Sequence, residues 1–162
     1  MVQFLLFLQP KPIKPLLVQT YITDTMRKNA ERFVINWRGT AGERAESQTF
    51  INEFFEIFDL YRKNFAQFEK PIRKKNEHGT GFADLFWSGK LIIEAKSADK
   101  DTDKHWENTL HQAQEYITNL LPYQKPQYIL LMNFKRFRIF KVMYFTGQNT
   151  LKINFEAEIA IE

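Results

Sequence analysis

The fold is decided by two short stretches of the sequence, GFADLFW at residues 81–87 and LIIEAK at residues 91–96. Both are mostly apolar and rich in aromatic or β-branched residues, and a short glycine-centred loop joins them, which is typical of a β-hairpin. Each stretch nevertheless carries charge, at Asp84, Glu94 and Lys96. A carboxylate on a largely buried strand is costly unless it is paired or binds a cation. These three residues are therefore the candidates for chemistry.

The length of the loop, Ser88 to Lys90, determines which of these side chains meet. Glu94 and Lys96 are two positions apart and share one face of their strand. A three-residue loop places Asp84 directly opposite Glu94, whereas a two-residue loop would put them on opposite faces. In the first register two carboxylates and an ammonium group converge.

This grouping suits metal-assisted hydrolysis of a phosphodiester. Carboxylate oxygens from Asp84 and Glu94 favour Mg²⁺, which takes one or two carboxylates from a protein and keeps several waters. The metal would lower the pKa of a bound water, and Lys96 would position that water and stabilise developing negative charge. The alternative interpretation is a cross-strand salt bridge on the surface, which contributes little energy.

Upstream of the hairpin, the sequence predicts an irregular N-terminal arm over residues 1–25, because its closely spaced prolines interrupt any helix. A short helix is predicted from Ala30 to Trp37. The run Thr40-Ala41-Gly42-Glu43 matches a capping box. It predicts a second helix that ends near Leu60. We therefore expect one folded domain over residues 26–162.

Downstream, apolar runs predict two further strands, at 128–133 and 137–142. Between them and the hairpin, an apolar stripe at helical spacing predicts a helix over 103–121, which Pro122 ends. A less regular strand is predicted before the hairpin, over 65–74. Together these elements predict an α/β fold with a central mixed β-sheet flanked by helices.

The composition limits the class of protein. The chain has 162 residues, a net charge of +4 and no cysteine. Disulfides and cysteine-based metal or nucleophile sites are therefore excluded, and the mild basic excess suits a polyanionic partner. The apolar segment Val2 to Leu8 is too short to cross a membrane. We expect a cytoplasmic protein with no membrane partner.

A basic run precedes the hairpin, with its cations at Lys70, Arg73, Lys74 and Lys75. It is either a solvated face or a set of contacts to the DNA backbone. Two other signals are equally open. Glu53 is either a solvated helix carboxylate or a further acid at the metal site. The alternation of basic and aromatic residues over 134–140 is explained by strand packing or by base stacking.

In the order and approximate spacing of its motifs, the chain resembles the N-terminal nuclease domain of MmeI-like type IIL restriction–modification enzymes, members of the PD-(D/E)XK superfamily. The resemblance extends from Phe33 to about Gly147. The matching residues are Phe33-Val34-Ile35-Asn36-Trp37-Arg38-Gly39, Glu43-Arg44-Ala45 with Gln48, Phe68-Glu69-Lys70, Gly81-Phe82-Ala83-Asp84, Glu94-Ala95-Lys96, Gln112 with Tyr116, and Arg136-Phe137 with Phe145-Thr146-Gly147.

The resemblance implies a restriction-endonuclease-like core and a Mg²⁺-dependent endonuclease, in which Mn²⁺ can substitute. It implies that Asp84 and Glu94 bind the metal, that Lys96 is the catalytic lysine, and that Gln112 supports them. The chain departs from the superfamily pattern at Ala83, where the superfamily name has proline. The implied partner is double-stranded DNA, and a homodimer would allow both strands to be cut.

MmeI-like enzymes continue into a methyltransferase and a target-recognition domain. This sequence has no Asn-Pro-Pro-Tyr-like motif and no glycine-rich S-adenosylmethionine loop, so the chain by itself does not methylate DNA. We therefore expect a separate methyltransferase and target-recognition polypeptide as a partner. The alternative is a catalytically idle fragment or a split subunit of such an enzyme.

Overall fold

The computed structural model describes residues 23–40, 44–73, 79–145 and 150–161. Within these ranges the chain forms three α-helices and six β-strands, with short 3-10 turns between some of them. The elements, in chain order, are α1 (Asp24–Trp37), α2 (Ser47–Glu56), β1 (Gln67–Arg73), β2 (Thr80–Trp87), β3 (Leu91–Ala95), α3 (Asp103–Thr118), β4 (Tyr128–Met132), β5 (Arg136–Tyr144) and β6 (Leu151–Ala160).

The six strands form a single sheet in the order of the sequence, from β1 to β6. All neighbours are antiparallel except β3 and β4, which are parallel. Parallel strands cannot be joined by a tight turn, and α3 provides the crossover between this pair. The sheet is therefore mixed, as the sequence predicts.

Helices cover both faces of the sheet, and each face has its own apolar core. The first core packs α1 and α2 against the sheet and is rich in aromatic residues. At its centre the fully buried Phe50 contacts the rings of Phe33, Trp37, Phe134 and Phe137, with centroids 4.6 to 5.6 Å apart. The second core packs α3 against the other face. Adjacent residues on each central strand alternate between the two cores.

The predicted boundaries of the first two helices differ from the structure. Helix α1 begins at Asp24 rather than at Ala30, because the Thr23 side chain accepts a hydrogen bond from the backbone N–H of Met26 and caps the helix there. The last residues assigned to the irregular arm are thus helical, and residues 1–22 lie outside the described ranges. Helix α2 starts at Ser47, after a 3-10 turn, and ends at Glu56 rather than near Leu60.

Asp59 explains the early end of α2. Its φ is 57°, in the left-handed region, and the N–H of Leu60 bonds to the carbonyl of Phe55 while that of Asp59 bonds to the carbonyl of Glu56. This is the Schellman arrangement that ends helices. Most of the predicted capping box falls on residues 41–43, outside the described ranges, and the Thr40 hydroxyl instead donates to the carbonyl of Trp37.

Strand β6 was not predicted from the sequence. It pairs antiparallel with β5 over its whole length, apart from one bulge opposite Ile139 and Phe140. Its sequence, LKINFEAEIA, contains residues that are depleted in strands, such as glutamate, and its side chains are only partly buried. Pairing with the long, well-formed β5 outweighs this weak local preference. No helix in the described ranges is long and apolar enough to cross a membrane.

Strands β1 and β2 change faces together at one position. Phe68 packs against the first core and Ile72 against the second, although regular alternation would put them on the same face. On β2, Leu85 and Ala83 differ in the same way. Between these pairs lies Glu69, which has a φ of 50°, at the register position opposite Asp84. The exchange of faces therefore coincides with a left-handed residue.

The conformation of Glu69 leads to a stability prediction. Side chains with a Cβ pay a steric cost in the left-handed region that glycine does not, and β-branched residues are the least tolerated there. We expect Glu69→Val to be less stable than Glu69→Gly by about 1–2 kcal/mol, measured by urea unfolding. At Gln67, the first residue of the same strand, the order should reverse. A Glu69→Val protein as stable as Glu69→Gly would contradict the assigned backbone.

Candidate active site

Glu94 lies in the centre of the sheet with none of its surface exposed. It is on β3, between β2 and β4, and its position is level with Leu131 on β4. Because Ile92 and Leu131 belong to the second core, strand alternation directs Glu94 toward α3. A carboxylate thus lies beneath a helix in the most enclosed part of the fold.

Three polar side chains meet at this point. The Gln112 amide on α3 donates from Nε2 to Glu94 Oε2 at 2.8 Å and accepts at Oε1 from Lys96 Nζ at 3.3 Å. Lys96 Nζ also lies 3.5 Å from Glu94 Oε2, and its side chain is 33% exposed, so it reaches solvent. The second carboxylate oxygen, Glu94 Oε1, is buried and has no hydrogen-bond partner among the described residues.

Asp84 enters the group from β2, where the hairpin ladder ends. The pairs Leu85–Ile93 and Trp87–Leu91 are bonded across a three-residue loop, as predicted, which sets Asp84 at the position across from Glu94. There the backbone pairing stops, and Asp84 Oδ2 instead accepts a hydrogen bond from the N–H of Ala95 at 2.7 Å. The aspartate side chain substitutes for the missing ladder bond, so its position is fixed by the backbone of β3.

The environment raises the pKa of Glu94 to about 8. The main cause is burial, which disfavours the charged form, and the second is the nearby charge of Asp84. The Lys96 ammonium group and the backbone N–H of Asp84 oppose the rise without cancelling it. Among the described residues, two neighbouring carboxylates have one ammonium group, that of Lys96, beside them, so the site is short of positive charge.

A divalent cation fits the donors of this site. Two carboxylates, one of them with a free buried oxygen, match the one or two that Mg²⁺ takes while it keeps several waters. Zinc sites usually have three or four protein ligands. No cluster of three or more histidine, cysteine, aspartate or glutamate residues occurs in the ranges that the structure describes. The donor set therefore favours a hard, oxygen-seeking ion.

Glu53 lies away from this cluster. Helix α2 packs on the opposite face of the sheet, and Glu53 Oε2 accepts hydrogen bonds from Trp37 Nε1 at 2.8 Å and Asn36 Nδ2 at 3.4 Å. Glu53 therefore lies outside the cluster and is not simply solvated: it ties α2 to α1. No local pattern predicts this contact, which depends on the crossing of two helices.

The other open signals are resolved to different extents. Lys70 and Arg73 lie on the edge strand β1, paired with Ala83 and Thr80, while Lys74 and Lys75 fall outside the described residues. The aromatic residues of the 134–140 segment are buried in the two cores, so packing explains their alternation and base stacking does not.

The pKa of Glu94 predicts how the metal-free protein responds to pH. The pKa of Glu94 is about 8 in the folded protein, above its ordinary value of 4.5, so the folded state binds this proton more tightly. The resulting contribution to the free energy of unfolding is fully present below pH 4.5. This contribution is lost as pH rises to 8, at up to about 1.4 kcal/mol per pH unit. With chelator present, the free energy of unfolding should fall less between pH 5.5 and 8.5 in Glu94→Gln than in the wild type.

The control for this measurement is Glu107→Gln, which alters an exposed glutamate on α3. Its pH dependence should match that of the wild type. Equal slopes for Glu94→Gln and the wild type would show that Glu94 titrates normally in the folded protein.

Comparison with known proteins agrees with the resemblance seen in the motifs. The family model described as MmeI, N-terminal domain, matches residues 28–161, which include all six strands and the four clustered residues. No curated protein and no solved structure gives a significant match. Since the matched region spans most of the chain, the protein belongs to the MmeI N-terminal domain family, whose context is restriction–modification.

Proposed function

We propose that this chain is a Mg²⁺-dependent endonuclease domain that hydrolyses phosphodiester bonds in double-stranded DNA, with a core of the PD-(D/E)XK type. The observation that carries the proposal is Oε1 of Glu94, which is buried beside Asp84 and Lys96 and has no hydrogen-bond partner among the residues that the structure describes. A buried acceptor without a partner costs about 1–3 kcal/mol, and more when charged. Such an atom suits a ligand that binds there.

Each residue of the cluster has a separate role in this proposal. Asp84 and Glu94 hold the ion, one from each strand of the hairpin. A bound Mg²⁺ supplies Lewis acidity that activates water and offsets charge on the phosphate. Lys96, which is tethered at Glu94 and reaches solvent, holds the attacking water and stabilises the negative charge that develops. Gln112 donates to Glu94 and accepts from Lys96, which keeps both side chains in place.

The position of β1 supports a DNA path beside the cluster. Lys70 is paired with Ala83, the residue before Asp84, and Arg73 is exposed further along the same edge strand. Cations one strand away from Asp84 and two strands away from Glu94 are suitably placed to contact the phosphate backbone. Lys74 and Lys75 would extend this contact along the chain.

Family membership supports a link to methyltransferase and target-recognition components, and a second copy of the chain would allow cleavage of both DNA strands. The alternative function is a catalytically idle component of the same system. Metal binding distinguishes the two, because an idle fragment has no need to retain a working metal site.

Metal binding is the first test of the proposal. Mg²⁺ or Mn²⁺ should raise the melting temperature of the chain, because the ion binds only the folded site. Asp84→Asn should abolish most of this shift. Asparagine keeps an oxygen to accept from the N–H of Ala95, so the substitution removes the charge while sparing that hydrogen bond.

Asp99→Asn is the matched control, since Asp99 lies on the exposed loop after β3 and pairs with Lys100. It should leave the metal response unchanged. If Asp84→Asn still responds to metal as the wild type does, the ion binds elsewhere and the assignment of the ligands is wrong.

Lys96 is predicted to act on the rate of cleavage rather than on binding. Lys96→Ala should reduce the rate by on the order of a hundredfold or more, because it removes a group that stabilises the transition state. The affinity for DNA, measured in Ca²⁺, should change little, with its salt dependence reduced by about one unit at most.

Lys100→Ala removes a neighbouring lysine that pairs with Asp99, and it should cleave at the wild-type rate. Cleavage of plasmid DNA is assayed with the chain alone and with a recognition polypeptide added. Normal cleavage by Lys96→Ala, or a loss that follows DNA affinity alone, would exclude the catalytic role.

A further inference from the structure

Tyr116 lies one helical turn after Gln112 on α3 and is almost fully buried. Its hydroxyl oxygen accepts a hydrogen bond from Gln112 Nε2 at 3.0 Å. The same Nε2 group donates to Glu94, and the amide oxygen accepts from Lys96. The Gln112 amide group therefore has three different hydrogen-bond partners: Glu94, Lys96 and Tyr116.

The Tyr116 ring occupies space that only a glycine on β2 leaves open. A Cβ built on Gly81 would lie 2.4 Å from Tyr116 Cε1 and 2.6 Å from its hydroxyl oxygen. Contacts this short do not occur between real atoms, and the ring is enclosed by the second core. A glycine within a strand often marks such a close approach. Gly81 is thus the position that admits Tyr116 beside Gln112.

We infer that Tyr116 is a positioning residue for the catalytic cluster, and that Gly81, which has no side chain, leaves the space that the Tyr116 ring needs. Of the three partners of the Gln112 amide, Glu94 and Lys96 are the groups that would engage the metal and the phosphate. Tyr116 is the one partner of the three that has no role in the chemistry. Tyr116 therefore holds the amide group in one orientation while Glu94 and Lys96 engage the metal and the phosphate.

The orientation matters because a rotated amide would place its carbonyl against Glu94 and its NH₂ group against Lys96. The NH₂ group would repel the Lys96 ammonium group, and the carbonyl would repel Glu94 when that carboxyl group is ionised. Residues that orient a metal ligand in this way typically affect metal affinity or activity by 10–100-fold. The effect on cleavage rests on the proposed nuclease function, whereas the orientation of the amide does not, so the two are tested separately.

The first experiment follows the Gln112 side-chain amide by NMR in the full chain labelled with ¹⁵N-glutamine. Tyr116→Phe removes only the hydroxyl group. It should shift the Gln112 NH₂ resonances and speed their exchange with solvent, because one donor loses its buried acceptor. Tyr144→Phe is the matched control: its hydroxyl donates to the carbonyl of Pro126, at the end of the sheet away from Glu94. That variant should leave the Gln112 resonances in place.

The second experiment measures plasmid cleavage. Tyr116→Phe should lower the rate by roughly tenfold. The double variant Gln112→Ala/Tyr116→Phe should be no slower than Gln112→Ala alone, because the hydroxyl acts through the amide. Tyr144→Phe should cleave normally.

The role of Gly81 is tested by stability, in a double-mutant cycle. Gly81→Ala should destabilise the protein, and most of that loss should disappear when the ring is shortened by Tyr116→Leu. If Gly81→Ala fails to fold alone, recovery of a folded double variant supports the inference equally.

Unmoved Gln112 resonances in Tyr116→Phe, or additive losses in the double variant, would overturn the positioning role. Wild-type protein that fails to cleave DNA would count against the proposed function, while the NMR result would still decide the arrangement of Gly81, Tyr116 and Gln112.

Discussion

The burial of the Glu94 carboxylate within the sheet is the constraint on which the surrounding polar residues depend. Glu94 has no exposed surface, and removing a charged group from water costs several kcal/mol unless other groups compensate. One of its oxygens is compensated, by the Gln112 amide and the Lys96 ammonium group. The other has no hydrogen-bond partner in the part of the chain that the structure describes. Burial, followed by the nearby charge of Asp84, raises the pKa of Glu94.

The topology explains why such a site can form at this place. The parallel pair β3–β4 requires a crossover, and the crossover helix α3 crosses the face of the sheet that carries Glu94. Gln112 and Tyr116 are therefore brought to the strand by the same connection that makes the sheet mixed. On the other side, β2 separates from β3 at Asp84, and the gap leaves room for a side chain where a backbone bond would otherwise lie.

The two faces of the sheet serve different purposes. The face under α1 and α2 holds a dense aromatic core centred on Phe50, and its one notable acid, Glu53, is committed to joining the two helices. The face under α3 combines an apolar core with the polar cluster. Changes on the first face should act mainly through stability, and changes on the second can act on the site directly. In this member of the MmeI N-terminal domain family, the division separates the scaffold from the residues that would carry the proposed chemistry.

The sequence by itself determined the elements whose patterns are local. The hairpin, its three-residue loop, the long helix after it and the following strand pair could all be predicted, because apolar periodicity and turn residues act over a few positions. The same patterns identified Asp84, Glu94 and Lys96 as candidate site residues, because charged residues are uncommon on an apolar strand. Only the tertiary structure decided the contacts made between distant segments. Strand β6 forms because β5 offers a partner, Glu53 finds Trp37 because two helices cross, and Gly81 accommodates Tyr116 because a strand and a helix pack together. Glu53 and Trp37 are 16 residues apart, and Gly81 and Tyr116 are further apart still. What joins them is packing in space, which no local pattern records.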